Sequence, residues 1–409
     1  MPPMNTDQAA MMLFSPQGRE NPYPLYNVLR ESAAVVRTPF GPHLITRYDP
    51  VDRVLRSPAF RTPRGYREAN DPAGPPLFDP AGKLSLHRRN WVLFQSGDAH
   101  TRLRKLIMNV FTPRAIRAIT PRIEALVDEL LVPALERGSL EVIKDLAYPL
   151  PATVICELLG IPAADRDRNR EWTNMLAPTV DPMLSTPAVI AAAEIAMTEW
   201  DRYIRDLLAE KRKNPGDALL DAMLAAEVDG ARLTEDEIAS NAVFLFLAGH
   251  ETTTNLIGNG LLALLRYPEQ LAKLRAEPGL IDNAIEELLR YDSPVQFAPR
   301  VPLAPTEIEG VTLPPEMPVT VMLGAANRDP RRYERPDELE IARPDPKPLS
   351  FGGGPHYCVG AALARAEGKA AIGSLVAKTR ELELATEKPT YRAILTLRGL
   401  TGLQVKLRC

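Results

Sequence analysis

Cysteine is scarce in this chain, with Cys156, Cys358 and Cys409 the three thiols among 409 residues. So few exclude a disulfide framework and fit a reducing compartment. They also exclude a zinc centre built on cysteine pairs, because no second cysteine or ligand cluster accompanies Cys358. Neither charge sign dominates: 49 Lys and Arg stand against 52 Asp and Glu, a net of −3. Bulk electrostatics therefore give no reason to expect nucleic acid or a membrane surface as partner. No long apolar run is present; the most apolar stretch, Ala242 to Ala248, is far shorter than a membrane span and soon meets His250 and Glu251. The first eight residues, Met1-Pro-Pro-Met-Asn-Thr-Asp-Gln8, lack the basic and apolar parts of a secretory leader. Internal repeats and Gly/Ser linkers are absent too. These absences predict a cytoplasmic protein with no membrane anchor, folded as one domain over residues 1–409.

What is abundant is proline, 40 residues, about twice average usage. The prolines fall at helix starts and in loops. Asn21–Arg30 reads as a short helix with proline in its first turn. Ala34 to Arg47, broken at Phe40-Gly-Pro42, reads as a hairpin. Residues 57–90 carry six prolines and few apolar anchors, which predicts a long loop acting as a lid or substrate-binding segment. Beyond Asp98 helices dominate: 99–110, 116–137, 151–159, 187–213 and 217–226. The longest is announced by Thr234-Glu-Asp-Glu237, a capping box in which the threonine caps and Glu237 reaches back. It continues to Arg266, apolar nearly all round, as a helix crossing a molecular centre must be. Short strands near Val301, Val311, 319–322 and 403–407 complete a mainly α fold with small β-sheets.

The richest stretch is Phe351-Gly-Gly-Gly-Pro-His-Tyr-Cys358-Val-Gly360. It sets one cysteine in a glycine-rich turn immediately before a helical run, Ala361 to Glu367. Backbone N–H groups and the positive end of a helix there favour thiolate over thiol. A thiolate so presented suits the axial ligand of a haem iron. Gly352 and Gly354 permit backbone geometry closed to other residues, and Gly360 permits close approach of a flat partner. Every fixed place of F-x-x-G-x-H-x-C-x-G is filled, and the stretch resembles the haem-binding loop of the cytochrome P450 family.

Other segments extend the resemblance in order along nearly the whole chain. Ala248-Gly249-His250-Glu251-Thr252 resembles the family's central-helix motif, which implies that Glu251 and Thr252 deliver protons to the oxygen being activated. An acid and a hydroxyl in a buried apolar helix are costly and need a reason. Gly249, beside Ala248, is read as clearing space for a flat ligand, and His250 as structural. Glu287-Leu-Leu-Arg290, with Arg343 further on, resembles the family's structural triad, which anchors the cysteine loop; Leu339 departs from the common phenylalanine and alters packing only. His100 and Arg104 share a helical face at i,i+4 spacing, and with Arg300 and His356 they match the family's partners for the haem propionates.

The resemblance thus implies a P450 fold with haem b held between a long central helix and the cysteine loop, Cys358 ligating iron and Phe351 and Gly360 lining the cofactor. It implies a bacterial-type monooxygenase that inserts one oxygen atom from O2 into a hydrophobic organic substrate, in secondary metabolism or catabolism. The chain would act as a monomer, with electrons from a separate ferredoxin and ferredoxin reductase; Arg104 and Arg365 lie in segments near the docking face. Two alternatives stand beside it, an H2O2-using peroxygenase and a non-catalytic haem sensor or carrier. The Glu251-Thr252 pair argues against the first, since a peroxide user has less need of a proton relay. Phe244, Leu247 and Ala248, Val295 and Phe297, and Leu395 are the expected substrate contacts. All are apolar, and none chooses a substrate.

Overall fold

The computed structural model describes residues 4–39, 41–64, 79–109, 111–181, 184–228 and 230–408. Helices dominate, with four small sheets among the described residues. The chain divides into two compact units, one formed by Met1–Arg61, Thr120–Leu150 and Thr252–Cys409, the other by Thr62–Ile119 and Pro151–Glu251. The helix Glu235–Arg266 contributes to both, its residues passing from one unit to the other at Thr252. None of the helices among the described residues is long and apolar enough to cross a membrane.

In the second unit the helix Pro187–Lys213 begins where the sequence signals it. The Thr186 side chain accepts from Val189 N, Pro187 takes the first turn, and Lys211, Arg212 and Lys213 close the last turn. Cations there meet the negative end of the helix dipole. Glu235–Arg266 starts on its capping box, with Glu237 N donating to Thr234 Oγ1 at 3.2 Å and Thr234 N to Glu237 Oε2 at 2.9 Å. Much of this helix is fully buried, from Ile238 through Leu264, each large apolar side chain contributing about 1.5–3 kcal/mol.

The loop expected over residues 57–90 is in part ordered structure. Phe60–Arg61 forms a strand and Lys83–Asn90 a helix; residues 65–78 of the expected lid lie outside the described residues. The helix Lys83–Asn90 carries little apolar periodicity, so its signal was missed. Polar groups of Pro187–Lys213 hold it instead: Asp201 accepts from Lys83 Nζ at 2.7 Å and lies 3.0 Å from His87 Nε2, and Glu194 accepts from Leu84 N at 3.1 Å.

The first unit carries the larger sheet, of strand order Val35–Val36, His43–Ile45, Val319–Met322, Phe297–Pro302, Phe60–Arg61. The expected hairpin pairs Val35 with Ile45, and Val319–Met322 joins it in parallel. Val319–Met322 also pairs antiparallel with Phe297–Pro302, setting Val319 opposite Arg300 and Met322 opposite Phe297. Two apolar clusters pack on this sheet, one around Ile45, Val321 and Leu323, the other around Tyr26, Leu29 and Met322. The helices Ile281–Tyr291 and Ala361–Lys378 pack on each other in the same unit.

Candidate active site

The cysteine loop is held at its start. Leu349 N donates to Asn327 Oδ1 at 2.7 Å, Asn327 Nδ2 to Ser350 Oγ at 2.9 Å, and Ser350 Oγ to Leu289 O at 2.7 Å. Gly352 and Gly354 adopt φ of 70° and 62°, the left-handed region that favours glycine. A Cβ on Gly354 would also lie 2.6 Å from Leu55 O and 2.7 Å from Arg56 Cα, so the loop's approach to the helix Tyr48–Arg56 needs the missing side chain. Cys358 N donates to Phe351 O at 2.9 Å. The Cys358 thiol is exposed, two residues before Gly360, the N-cap of Ala361–Lys378. A Cβ on Gly360 would meet nothing within 4 Å, so the space a flat partner needs is open on that side.

Behind the loop stands the triad. Arg290 Nε and Nη2 donate to Glu287 Oε2 and Oε1 at 2.6 and 2.8 Å, and Arg343 Nε reaches both oxygens at 3.1 Å. Glu287, Arg290 and Arg343 are 0%, 0% and 5% exposed. Two buried guanidiniums on one carboxylate would be costly if their remaining N–H groups were idle. They are not: Arg290 also donates to the carbonyls of Asn327, Pro336 and Glu338, and Arg343 to those of Glu334, Arg335 and Glu338. Because Asn327 is the residue that holds Leu349 and Ser350, the triad is bonded through it to the start of the cysteine loop. Leu339 is buried beside these segments.

On the helix Glu235–Arg266 most residues from Ile238 onward are shielded, yet Phe244, Ala248 and Thr252 are partly exposed at four-residue spacing, as is Gly249. Leu247, expected on the open face with them, is 5% exposed. Glu251 is 2% exposed and lies 3.6 Å, Oε1 to Nε2, from the fully buried His250. His250 Nδ1 is 2.8 Å from Phe246 O, and since a carbonyl only accepts, Nδ1 carries the hydrogen. A Cβ on Gly249 would meet Ile155 of Pro149–Leu159 at 3.5 Å, an ordinary contact distance.

The expected propionate partners fall in both units. His100 is buried on Gly97–Met108, and its imidazole is held below its ordinary value by burial and then by the neighbouring Arg104. Arg300, on the strand Phe297–Pro302, is 6% exposed. Burial pushes its guanidinium down to about 10. Its Nη1 donates to Pro299 O at 2.9 Å, and among the described residues no carboxylate pairs with it. His356 is partly buried in the turn Gly354–His356. A buried cation lacking an acid, a presented thiol and an open glycine fit a thiolate-ligated group with its own carboxylates.

Arg365, expected in a segment near the docking face, is engaged by neighbouring side chains. Its guanidinium is bonded to Glu286, lies 3.2 Å from Tyr357 Oη, and stacks 4.4 Å over the Phe351 ring. Burial alone would lower its pKa, but the bonds and charges of Glu286 and Tyr357 together raise it.

Of the expected substrate contacts, Phe297 and Leu395 are partly buried against the Tyr26 cluster, and Val295 against the Val321 cluster. Phe244 lies 5.3 Å from the Trp91 ring, which stacks on Phe94 at 5.7 Å. The sequence reading missed these two aromatics, hidden after a helix it had read as loop. It also missed Glu367, a fully buried carboxyl that burial pushes up to about 8 despite a bond from Thr253. Its signal was an acid on the apolar face of Ala361–Lys378, four residues from Leu363 and Ala371.

The cytochrome P450 family model matches residues 67–390. Cytochrome P450 107B1 of Saccharopolyspora erythraea is 42% identical over 89% of this chain and 88% of its own. Vitamin D(3) 25-hydroxylase of Pseudonocardia autotrophica is 40% identical over 97% and 96%. The crystal structure of P450BioI in complex with an acyl carrier protein ligated to hexadec-9Z-enoic acid superposes with a TM-score of 0.90 at 35% identity, covering 96% of this chain and all of that one. Fold, cysteine loop and matches define a haem-thiolate monooxygenase. The chain belongs to the cytochrome P450 family, binds haem b, and inserts one oxygen atom from O2 into an organic substrate.

Proposed function

We propose that Cys358, as thiolate, is the axial ligand of the haem iron, and that residues 1–409 work as one functional domain. The observation that carries this is the exposed thiol on a loop fixed by Asn327, Ser350 and two left-handed glycines. Arg300 and His356, with His100 and Arg104, would hold the propionates, and Phe351 and Gly360 the porphyrin near the thiolate. When bound, the haem supplies O2 activation, and thiolate donation favours O–O cleavage.

The chain's own contribution is to bind, shield and supply protons. Thr252 Oγ1 holds the proton handed inward, and Glu251 Oε1 replenishes it. Phe244 and Ala248 in one unit and Val295, Phe297 and Leu395 in the other are each apolar, which suits a small hydrophobic substrate and the exclusion of water. The names of relatives, a vitamin D(3) hydroxylase and a P450 solved with a fatty acyl carrier, support a hydrophobic substrate class. Electrons come from a ferredoxin and its reductase acting in trans on a cytoplasmic, monomeric enzyme. Since Arg365 is tied to Glu286, an acidic ferredoxin would dock through other basic groups, and turnover with it should weaken as salt rises.

The test is the ratio of product formed to NADPH consumed in Thr252→Ala and Glu251→Gln. Thr252→Ala should keep haem, substrate binding and NADPH use while reducing equivalents leave as H2O2. Glu251→Gln should slow the whole cycle by about 10²–10⁴-fold. Full coupling in Thr252→Ala would mean that the threonine does not hold the proton.

A further inference from the structure

The unit that contains the cysteine loop also holds a cavity of about 490 Å³, and every residue lining it belongs to that unit. This is the size of a small-molecule site. Its wall is a pile of alternating phenol rings and guanidiniums. Arg328 lies 3.5 Å from the Tyr23 ring and 4.0 Å from that of Tyr291, while Arg398 lies 3.6 Å from the Tyr391 ring and 5.7 Å from Tyr23. Such cation–π layers hold a wall in place. Four carboxylates and four cations line the cavity, so net charge selects no ligand.

Hydrogen bonding does select one. Every guanidinium nitrogen of Arg328 donates within the wall, to Tyr291 O or Asp337 Oδ1. Those of Arg398 donate to Asp292 Oδ1, Arg19 O and Glu20 O. Arg266 is bonded to Tyr391, and Lys388 pairs with Glu20 at 3.1 Å. The acids are less committed. Asp292 is 7% exposed, and both bonds its carboxylate accepts, from Tyr23 Oη at 2.6 Å and Arg398 Nε at 2.7 Å, fall on Oδ1. Its Oδ2 accepts from none of the described residues, and neither does the exposed Glu387 at the rim. What the cavity still offers a ligand is carboxylate lone pairs, which charged N–H donors satisfy best.

We propose that this cavity is an effector site for a small organic cation, an ammonium, amidinium or guanidinium ion whose N–H donors sit on an apolar body. The head takes Asp292 Oδ2 and Glu387, and the body lies against the tyrosine rings. The site bears on the substrate side of the same unit. Asp292 precedes, and Arg398 ends, two segments that pair with each other. Arg398 N donates to Pro294 O at 2.8 Å, Gln296 N donates to Thr396 O at 2.9 Å, and Val295 bridges Leu397. These segments carry Val295, Phe297 and Leu395. A ligand that draws on Asp292 therefore shifts those apolar side chains; this step rests on reading the three as substrate contacts, whereas binding itself does not.

The test titrates the haem-loaded protein by calorimetry with three probes of one shape, benzamidine, benzamide and benzoate. The benzamidinium ion should bind, benzamide should bind more weakly, and benzoate should not bind. Glu387→Lys changes an exposed rim residue and leaves the wall intact. It should weaken benzamidine by about tenfold, the worth of one charge-assisted hydrogen bond. Asp292→Asn should weaken it as well, but this variant also loosens Arg398, so the rim variant decides. No binding of benzamidine at about 10 mM, a preference for benzoate, or an affinity indifferent to Glu387→Lys overturns the site. The effector role is read from the affinity for 4-phenylimidazole, which ligates haem iron and shifts the Soret band. Bound benzamidine should change that affinity about fivefold, the lower end of allosteric coupling. An unchanged affinity while benzamidine binds overturns the effector role. If Val295→Ala and Leu395→Ala each leave the affinity for 4-phenylimidazole unchanged, the substrate-contact reading fails instead, so the two failures are distinguishable.

Discussion

Replacing Glu367 by glutamine should stabilise this protein, and by an amount that grows with pH. The carboxyl is 1% exposed on the inner face of Ala361–Lys378. Burial lifts it from an ordinary value of 4.5 to about 8, and the bond from Thr253 offsets part of that. A rise of 3.5 (8 minus 4.5), at 1.36 kcal/mol per pH unit, makes ionising Glu367 in the folded protein about 5 kcal/mol costlier than in the unfolded chain. Below pH 4.5 both states hold the proton and nothing is lost. Between 4.5 and 8 the folded state keeps a proton that the unfolded chain has released, so stability falls as pH rises, and the loss is complete above 8. The glutamine amide mimics the neutral acid and escapes this penalty. Guanidinium unfolding of wild type and Glu367→Gln at pH 5, 7 and 9 should give curves within about 1 kcal/mol at pH 5. At pH 9 the variant should lead by up to about 5 kcal/mol. A gap that does not widen with pH, or a wild type that is the more stable at pH 9, would refute the reasoning.

Glu287→Gln leaves two buried guanidiniums without their carboxylate and should cost about 3–5 kcal/mol, read as a lower unfolding midpoint together with a lower Soret-to-protein absorbance ratio. Gly354→Ala must place a Cβ 2.6 Å from Leu55 O at a φ of 62°; it should shift the cysteine loop and lower haem occupancy, whereas Gly360→Ala, with open space around it, should fold normally by circular dichroism. Arg300→Leu removes a desolvated cation, so the haem-free protein should be as stable as wild type or more so, while haem should dissociate faster on transfer to apomyoglobin.

Much of this arrangement was legible because it is written in local chemistry. The capping box at Thr234 and the helix beginning at residue 187 were found since each is signalled by a few adjacent residues. The cysteine loop was found because its glycines are demanded by positive φ at Gly352 and Gly354. The triad needed more: E-x-x-R says little alone, and its third member lies 53 residues beyond Arg290 (343 minus 290). The sequence places it only through resemblance to a family. What escaped depends on distant partners. Lys83–Asn90 is a helix because Asp201 and Glu194 on another helix hold it. Arg365 is bonded to Glu286, 79 residues away in sequence (365 minus 286). No local periodicity encodes such pairings.

The central claim is that the sulfur of Cys358 ligates iron, and it is tested most directly by the CO-difference spectrum of Cys358→His beside wild type. The reduced wild-type protein with CO should show the red-shifted Soret band of thiolate ligation. Cys358→His should bind haem without that band and form no product from NADPH and O2. A red-shifted band that survives the substitution, or product formation at the wild-type rate, would contradict the account.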